Sequence, residues 1–251
     1  MEIKLKLFIM KKLLSLTLTL VIFTTASYAQ WGKKIKGNGN MVTIERNTND
    51  YDAIGVAGWF NVDLVAGNEG EISIEGESNL LEYVKTEVKN GKLSIKIEKG
   101  VNLKPSSSNK SIKITVPVTS INSIALSGSG DIVSKTTIKT DDFKTAMSGS
   151  GDITIDVDAD SVTASMSGSG DIKLSGTTTE FKATISGSGD IKAYELKADD
   201  VNATISGSAD IKVTANKSLK ARIAGSGDIR YRGNPDKVDT KSAGSGDISR
   251  G

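Results

Sequence analysis

The sequence predicts an all-β chain whose second half is a right-handed parallel β-helix, and three observations carry that prediction. The first is a motif of six residues written seven times, at 127–132, 148–153, 167–172, 186–191, 206–211, 224–229 and 243–248. Five copies begin Ser-Gly-Ser, two begin Ala-Gly-Ser, and all end Asp-Ile. The second is the period: the motif aspartates are separated by 21, 19, 19, 20, 18 and 19 residues. A repeat of about 20 residues fits one turn of a solenoid and is too short for a propeller blade or a helical pair. The third is parity. From Phe181 to Ala193 the odd positions are apolar or glycine and the even ones polar, which is strand alternation running straight through the motif.

Each coil is therefore expected to hold two strands flanking a bend where only glycine fits inside. Ile132, Ile153, Ile172, Ile191, Ile211, Ile229 and Ile248 should stack as one internal ladder, and Leu126, Met147, Met166, Ile185, Ile205 and Ile223 as a second. Stacked coils pair each strand with its equivalent in the next, giving parallel sheets around a filled interior. Right-handedness follows from the chirality of parallel β crossovers.

The region before the repeats also alternates with period two, at Phe60, Val62 and Leu64, then Ile72 and Ile74, Leu93 to Ile97, and Ile112 to Val116. Gly67 to Gly70 and Asn90-Gly91 read as hairpin turns, the second by the strongest short-range signal there is. Ser78 or Asn79 is placed to cap a single helical turn carrying Leu80, Leu81 and Val84. Gly100 to Lys110, with Pro105 and three serines, reads as a mobile surface loop. Pro117 marks a strand start or edge, since proline cannot donate to a ladder.

The N-terminus carries an export signal pattern: Lys11 and Lys12, an apolar run of 11 residues from Leu13 to Phe23, then Ser27-Tyr28-Ala29. Eleven residues are too few to span a membrane, which takes about 20. Residues 1–29 are read as a cleaved signal peptide, with Met10 an alternative start. The rest divides into an unstructured lead-in (30–41), an N-terminal β part (42–120) and the repeat β-helix (121–251). Removing the signal takes away four lysines and one glutamate, so 32 basic and 30 acidic residues become 28 and 29, a net charge of −1. That balance implies neither a nucleic-acid nor an anionic-membrane partner. The chain has no cysteine and no histidine, which removes disulfides, the lipid-attachment residue of a lipoprotein, and the commonest metal ligand and general base.

The repeated aspartate suggests one metal site. Coils about 4.8 Å apart would stack Asp131, Asp152, Asp171, Asp190, Asp210, Asp228 and Asp247 in a column. Neighbours would repel by roughly 0.9 kcal/mol even in water. A row of Ca²⁺ ions would offset this. The competing reading is turn chemistry, with aspartate accepting local N–H bonds and Lys173, Lys192 and Lys212 on the same face damping the repulsion. Catalysis has less to stand on. The pairs Asp141 with Asp142, Asp158 with Asp160, and Asp199 with Asp200 fall in expected turns, and no nucleophile and base pattern or phosphate loop accompanies them.

The stretch Tyr51-Asp-Ala-Ile-Gly-Val-Ala-Gly-Trp-Phe-Asn-Val-Asp-Leu-Val-Ala-Gly67, the stretch from Ile74 to Leu93 and the Ser-Gly-Ser-Gly-Asp repeats together resemble the "putative auto-transporter adhesin, head GIN domain" family. The likeness runs from Tyr51 to the C-terminus. It implies a right-handed β-helix in exported proteins, common in Bacteroidetes, with an adhesive role and no established activity or functional residues. Ser249-Arg250-Gly251 follow the seventh motif directly, so no transporter barrel is read there. The expectation is a non-enzymatic exported binding module in the periplasm or at the cell surface, meeting a protein or glycan surface, with end-to-end pairing of copies through the open last coil. The alternatives are a glycan-active β-helix enzyme and a calcium-stabilised spacer.

Overall fold

Alternating residues become long strands that stack coil on coil. The computed structural model describes residues 32–251, so the signal segment, Gln30 and Trp31 lie outside the described residues. After a short strand β10 (Ser123–Gly128), each repeat is one strand running from aspartate to glycine. These are β11 (Asp131–Gly149), β12 (Asp152–Gly168), β13 (Asp171–Gly187), β14 (Asp190–Gly207) and β15 (Ile211–Gly225). β16 (Ile229–Arg232), β17 (Lys237–Gly244) and β18 (Ile248–Arg250) complete the series. Every pairing among them is parallel.

Both predicted ladders form. Ile132 pairs with Ile153, and the register continues through Ile172, Ile191, Ile211 and Ile229 to Ile248. From Ile132 to Ile229 these side chains are fully buried. Each contributes roughly 1.5–3 kcal/mol by leaving water. Leu126 to Ile223 stack the same way on the opposite wall. One continuous apolar cluster runs from Tyr51 to Ile229.

The N-terminal part contains β1 (Lys33–Lys36), β2 (Met41–Asn47), β3 (Ala53–Gly58), β4 (Asn61–Ala66), β5 (Glu71–Glu77), α1 (Ser78–Leu81), β6 (Val84–Lys89), β7 (Lys92–Ile97), β8 (Val101–Lys104) and β9 (Lys113–Val118). Two of its strands already belong to the solenoid. β3 pairs in parallel with β10, and β4 pairs in parallel with the start of β11. They form a first coil whose bend, Ala57-Gly58-Trp59-Phe60-Asn61-Val62, aligns with Ser127-Gly128-Ser129-Gly130-Asp131-Ile132. The motif therefore has an eighth, disguised copy. Trp59 and Phe60, with ring centroids 5.9 Å apart, stand where later coils carry serine and glycine.

Four expectations are corrected here. The lead-in is ordered from Lys33 on, because β1 pairs with β8. The loop at 100–110 is likewise in part the strand β8, with Leu103 buried and Ser106 N–H bonded to Glu77 at 2.8 Å. Gly67 to Gly70 is no hairpin: β4 and β5 lie on opposite edges of β9, parallel and antiparallel to it, so the loop crosses that strand. The helical turn exists, but its N-cap is Glu77 without a side-chain capping bond, and Val84 opens β6. Asn90-Gly91 does make the hairpin between β6 and β7, both residues taking positive φ.

Glu77 is spent elsewhere. Its buried carboxylate accepts the N–H groups of Gly39 and Ser106 and so pins two loops to the end of β5. Burial alone would raise its pKa. The Ser106 and Gly39 hydrogen bonds and the nearby Lys110 outweigh that and hold it below the ordinary value.

Candidate functional site

The repeat motif is the feature that the sequence singles out. Its first glycine takes a positive φ between 131° and 159° in the seven regular copies and 150° at Gly58. A Cβ at Gly149 would sit 2.0 Å from the carbonyl oxygen of Gly128, and the same collision recurs along the column. These glycines are half-buried, so the constraint is the close stacking of one bend on the previous one, not the interior alone. The second glycine faces inward as expected and is buried at Gly130, Gly151, Gly170 and Gly189.

The aspartates link the coils. The N–H of Asp152 donates to Asp131 Oδ1 at 3.2 Å, and the N–H of Asp171 to Asp152 Oδ1 at 3.0 Å. Asp210 on Asp190, Asp228 on Asp210 and Asp247 on Asp228 repeat the bond at 3.0–3.2 Å. One rung differs: the N–H of Asp190 goes to the Gly170 carbonyl, and Lys192 takes Asp171 instead. That hydrogen bond to Asp171 leads the causes that raise the Lys192 pKa. Five of the seven carboxylates thus accept the N–H of the next motif aspartate, across 18 to 21 residues of sequence and not within their own turn. Among the described residues no three acidic side chains converge as metal ligands.

A groove lies at the other corner of the coils. Asp141, Asp160, Thr179 and Asp199 occupy equivalent positions that the strand pairing skips, between Thr140 and Asp142 in β11 and between their counterparts in β12, β13 and β14. With Lys139, Asp158, Thr177, Thr178 and Lys197 they line an open polar groove of about 960 Å³ reaching from Ser120 to Asn216. The candidate pairs are therefore not in turns but at a corner within continuous strands. Asp158 and Asp160 both face the groove, joined by Asp141 and Asp199 from other coils, whereas Asp200 lines a separate groove. Asp158 accepts the Thr177 hydroxyl at 2.8 Å, and Asp199 pairs with Lys217 at 2.7 Å. Lys139, Lys197 and the threonines were not flagged by the sequence; their only signal is an offset from the motif that register alone makes legible.

Residues 50–235 match the family described as "putative auto-transporter adhesin, head GIN domain". The chain belongs to that family. Its fold recurs in the crystal structure of a putative adhesin from Bacteroides fragilis NCTC 9343, at 25% identity and a TM-score of 0.81, covering 86% of this chain and 99% of that one. The crystal structure of a putative lipid binding protein from Parabacteroides distasonis ATCC 8503 is similar at 28% identity and a TM-score of 0.74, covering 87% and 100%. A putative adhesin from Parabacteroides merdae ATCC 43184 shares the fold at 22% identity and a TM-score of 0.65, covering 87% and 99%. No curated protein matches the sequence. No helix among the described residues is long and apolar enough to cross a membrane.

Proposed function

We propose that the chain is an exported, non-enzymatic binding module of adhesin type, acting in the periplasm or at the cell surface. The observation that carries this reading is the open corner groove, where hydroxyls, carboxylates and lysines recur coil after coil. Such a surface engages a partner along its length, by many modest polar contacts, with no single deep pocket. Family membership and the adhesin-named relatives support the class, and the Lys11 to Ala29 pattern supports export. The partner is a glycan or protein surface rich in hydroxyl and amide groups, which the groove's acceptors and donors can meet directly.

The test is retention of the purified chain on glycan arrays and on cell surfaces, compared with an Asp158→Asn/Asp160→Asn variant. Binding should be weakened in the variant while folding is kept. Turnover of a bound glycan that one carboxylate substitution abolishes would replace this reading with the enzymatic one.

A further inference from the structure

The near-neutral net charge conceals a segregated surface. Strand register defines three outward columns on the face made by β7, β3, β10 and the C-terminal halves of β11 to β15. The first runs Lys92, Ala53, Ser123, Lys144, Thr163, Lys182, and continues through Asn202 to Lys220. The second runs Ser94, Gly55, Ala125, Ala146, Ser165, Thr184, and continues through Thr204 to Arg222. The third begins at Lys96 and Ala57 and continues as the first serines of the motif. From β7 to β15 these columns contain no acidic residue at all. Asp142, Glu180 and Asp200 stand one column further out, in register with one another, and mark the boundary of the cationic strip.

The middle of this face is a groove of about 460 Å³ with a mainly apolar lining. It is lined by Gly55, Ala57, Ala125 and Ala146, by hydroxyls such as those of Ser127, Ser148 and Ser165, and by the almost fully buried Met147 and Met166. Lys92 lines one end, its aliphatic stem lying over Gly55. Lys92, Lys144 and Lys182 take part in none of the ion pairs among the described residues.

We propose that this face binds an anionic lipid, with one acyl chain lying in the groove and the negative head group held by Lys92 and Lys144. Charge complementarity selects the sign of the head group, since a cationic partner finds no carboxylate in these columns to pair with. The mainly apolar lining selects the chain: an open apolar trough releases water to an alkyl chain. The site is separate from the polar corner groove and does not depend on the adhesin reading.

Flotation of the purified chain with phosphatidylcholine vesicles, with and without phosphatidylglycerol, tests it. The chain should float only with the anionic vesicles, and added salt should weaken binding. Lys144→Glu/Lys182→Glu should reduce vesicle affinity about tenfold or more. Ala146→Trp keeps every charge but fills the trough, and should also release the chain from the vesicles; Ala146→Leu repeats the test with a smaller side chain if the tryptophan variant does not fold. Lys139→Glu/Lys197→Glu, in the polar groove, should leave flotation unchanged. No flotation with anionic vesicles overturns the proposal. So does unchanged flotation of folded Ala146 variants, which would mean adsorption by charge alone.

Discussion

The first coil and the seven that follow share one backbone path but not one sequence. At the bend the later coils read Gly-Ser-Gly-Asp with one Gly-Ser-Ala-Asp, whereas the first reads Gly58-Trp59-Phe60-Asn61. The leading glycine survives in all eight, and the second does not. Phe60 and Ala209 both carry a Cβ at that second position and are buried. The difference ranks the two glycines: a Cβ at either would meet the backbone of the previous bend, but only the first also takes a positive φ. Phe60 fills interior volume in the coil that joins the repeats to the N-terminal strands β7 and β9.

Substitutions can break that comparison in order of size. Phe60→Ala should cost the most, about 3–5 kcal/mol, as a large, fully buried aromatic lost from the core, read as a drop in the urea midpoint. Gly149→Ala should follow at about 3 kcal/mol, since it combines the left-handed strain of its φ with a collision against Gly128. Gly151→Ala should cost less than Gly149→Ala in the same assay; the reverse order would refute the ranking of the two positions. Glu77→Gln should cost about 1–3 kcal/mol at neutral pH by weakening the bonds from a buried carboxylate to two loops. Its dependence on pH has a definite sign. A carboxylate with a lowered folded pKa stabilises fully above its ordinary value of 4.5, and that contribution is lost as pH falls through the lowered value. The gap between wild-type and Glu77→Gln midpoints should therefore close on acidification. Smallest is Asp152→Asn, about 1 kcal/mol or less, because an amide oxygen can still accept the Asp171 N–H and the site is exposed.

The same contrast explains what the sequence made legible. The repeats announced themselves because Ile153, Ile172 and Ile191 recur at fixed spacing and each interior ladder is a string of like residues. Parity then placed Gly151 and Ile153 inside and Asp152 outside, as found. The first coil escaped because Trp59, Phe60 and Asn61 replace every motif letter except the glycine that matters most. The N-terminal strands escaped for another reason: local alternation identifies strands but not partners, so β9 came to lie between β4 and β5 without any nearby signal. At the candidate sites, the motif aspartates were read as a column, and they form one. The corner groove and the cationic trough were not visible, since each gathers residues from five or six coils whose alignment exists only once register is set.

A strand end that is completed by the coil before it makes length a free variable. Removing residues 152–170 would join the Asp131 coil directly to the Asp171 coil, each presenting the contacts its new neighbour requires, while both ends of the stack stayed as they are. Such a protein can be lengthened or shortened in steps of about 4.8 Å, so the length of the stack is set by counting repeats and not by redesigning a fold.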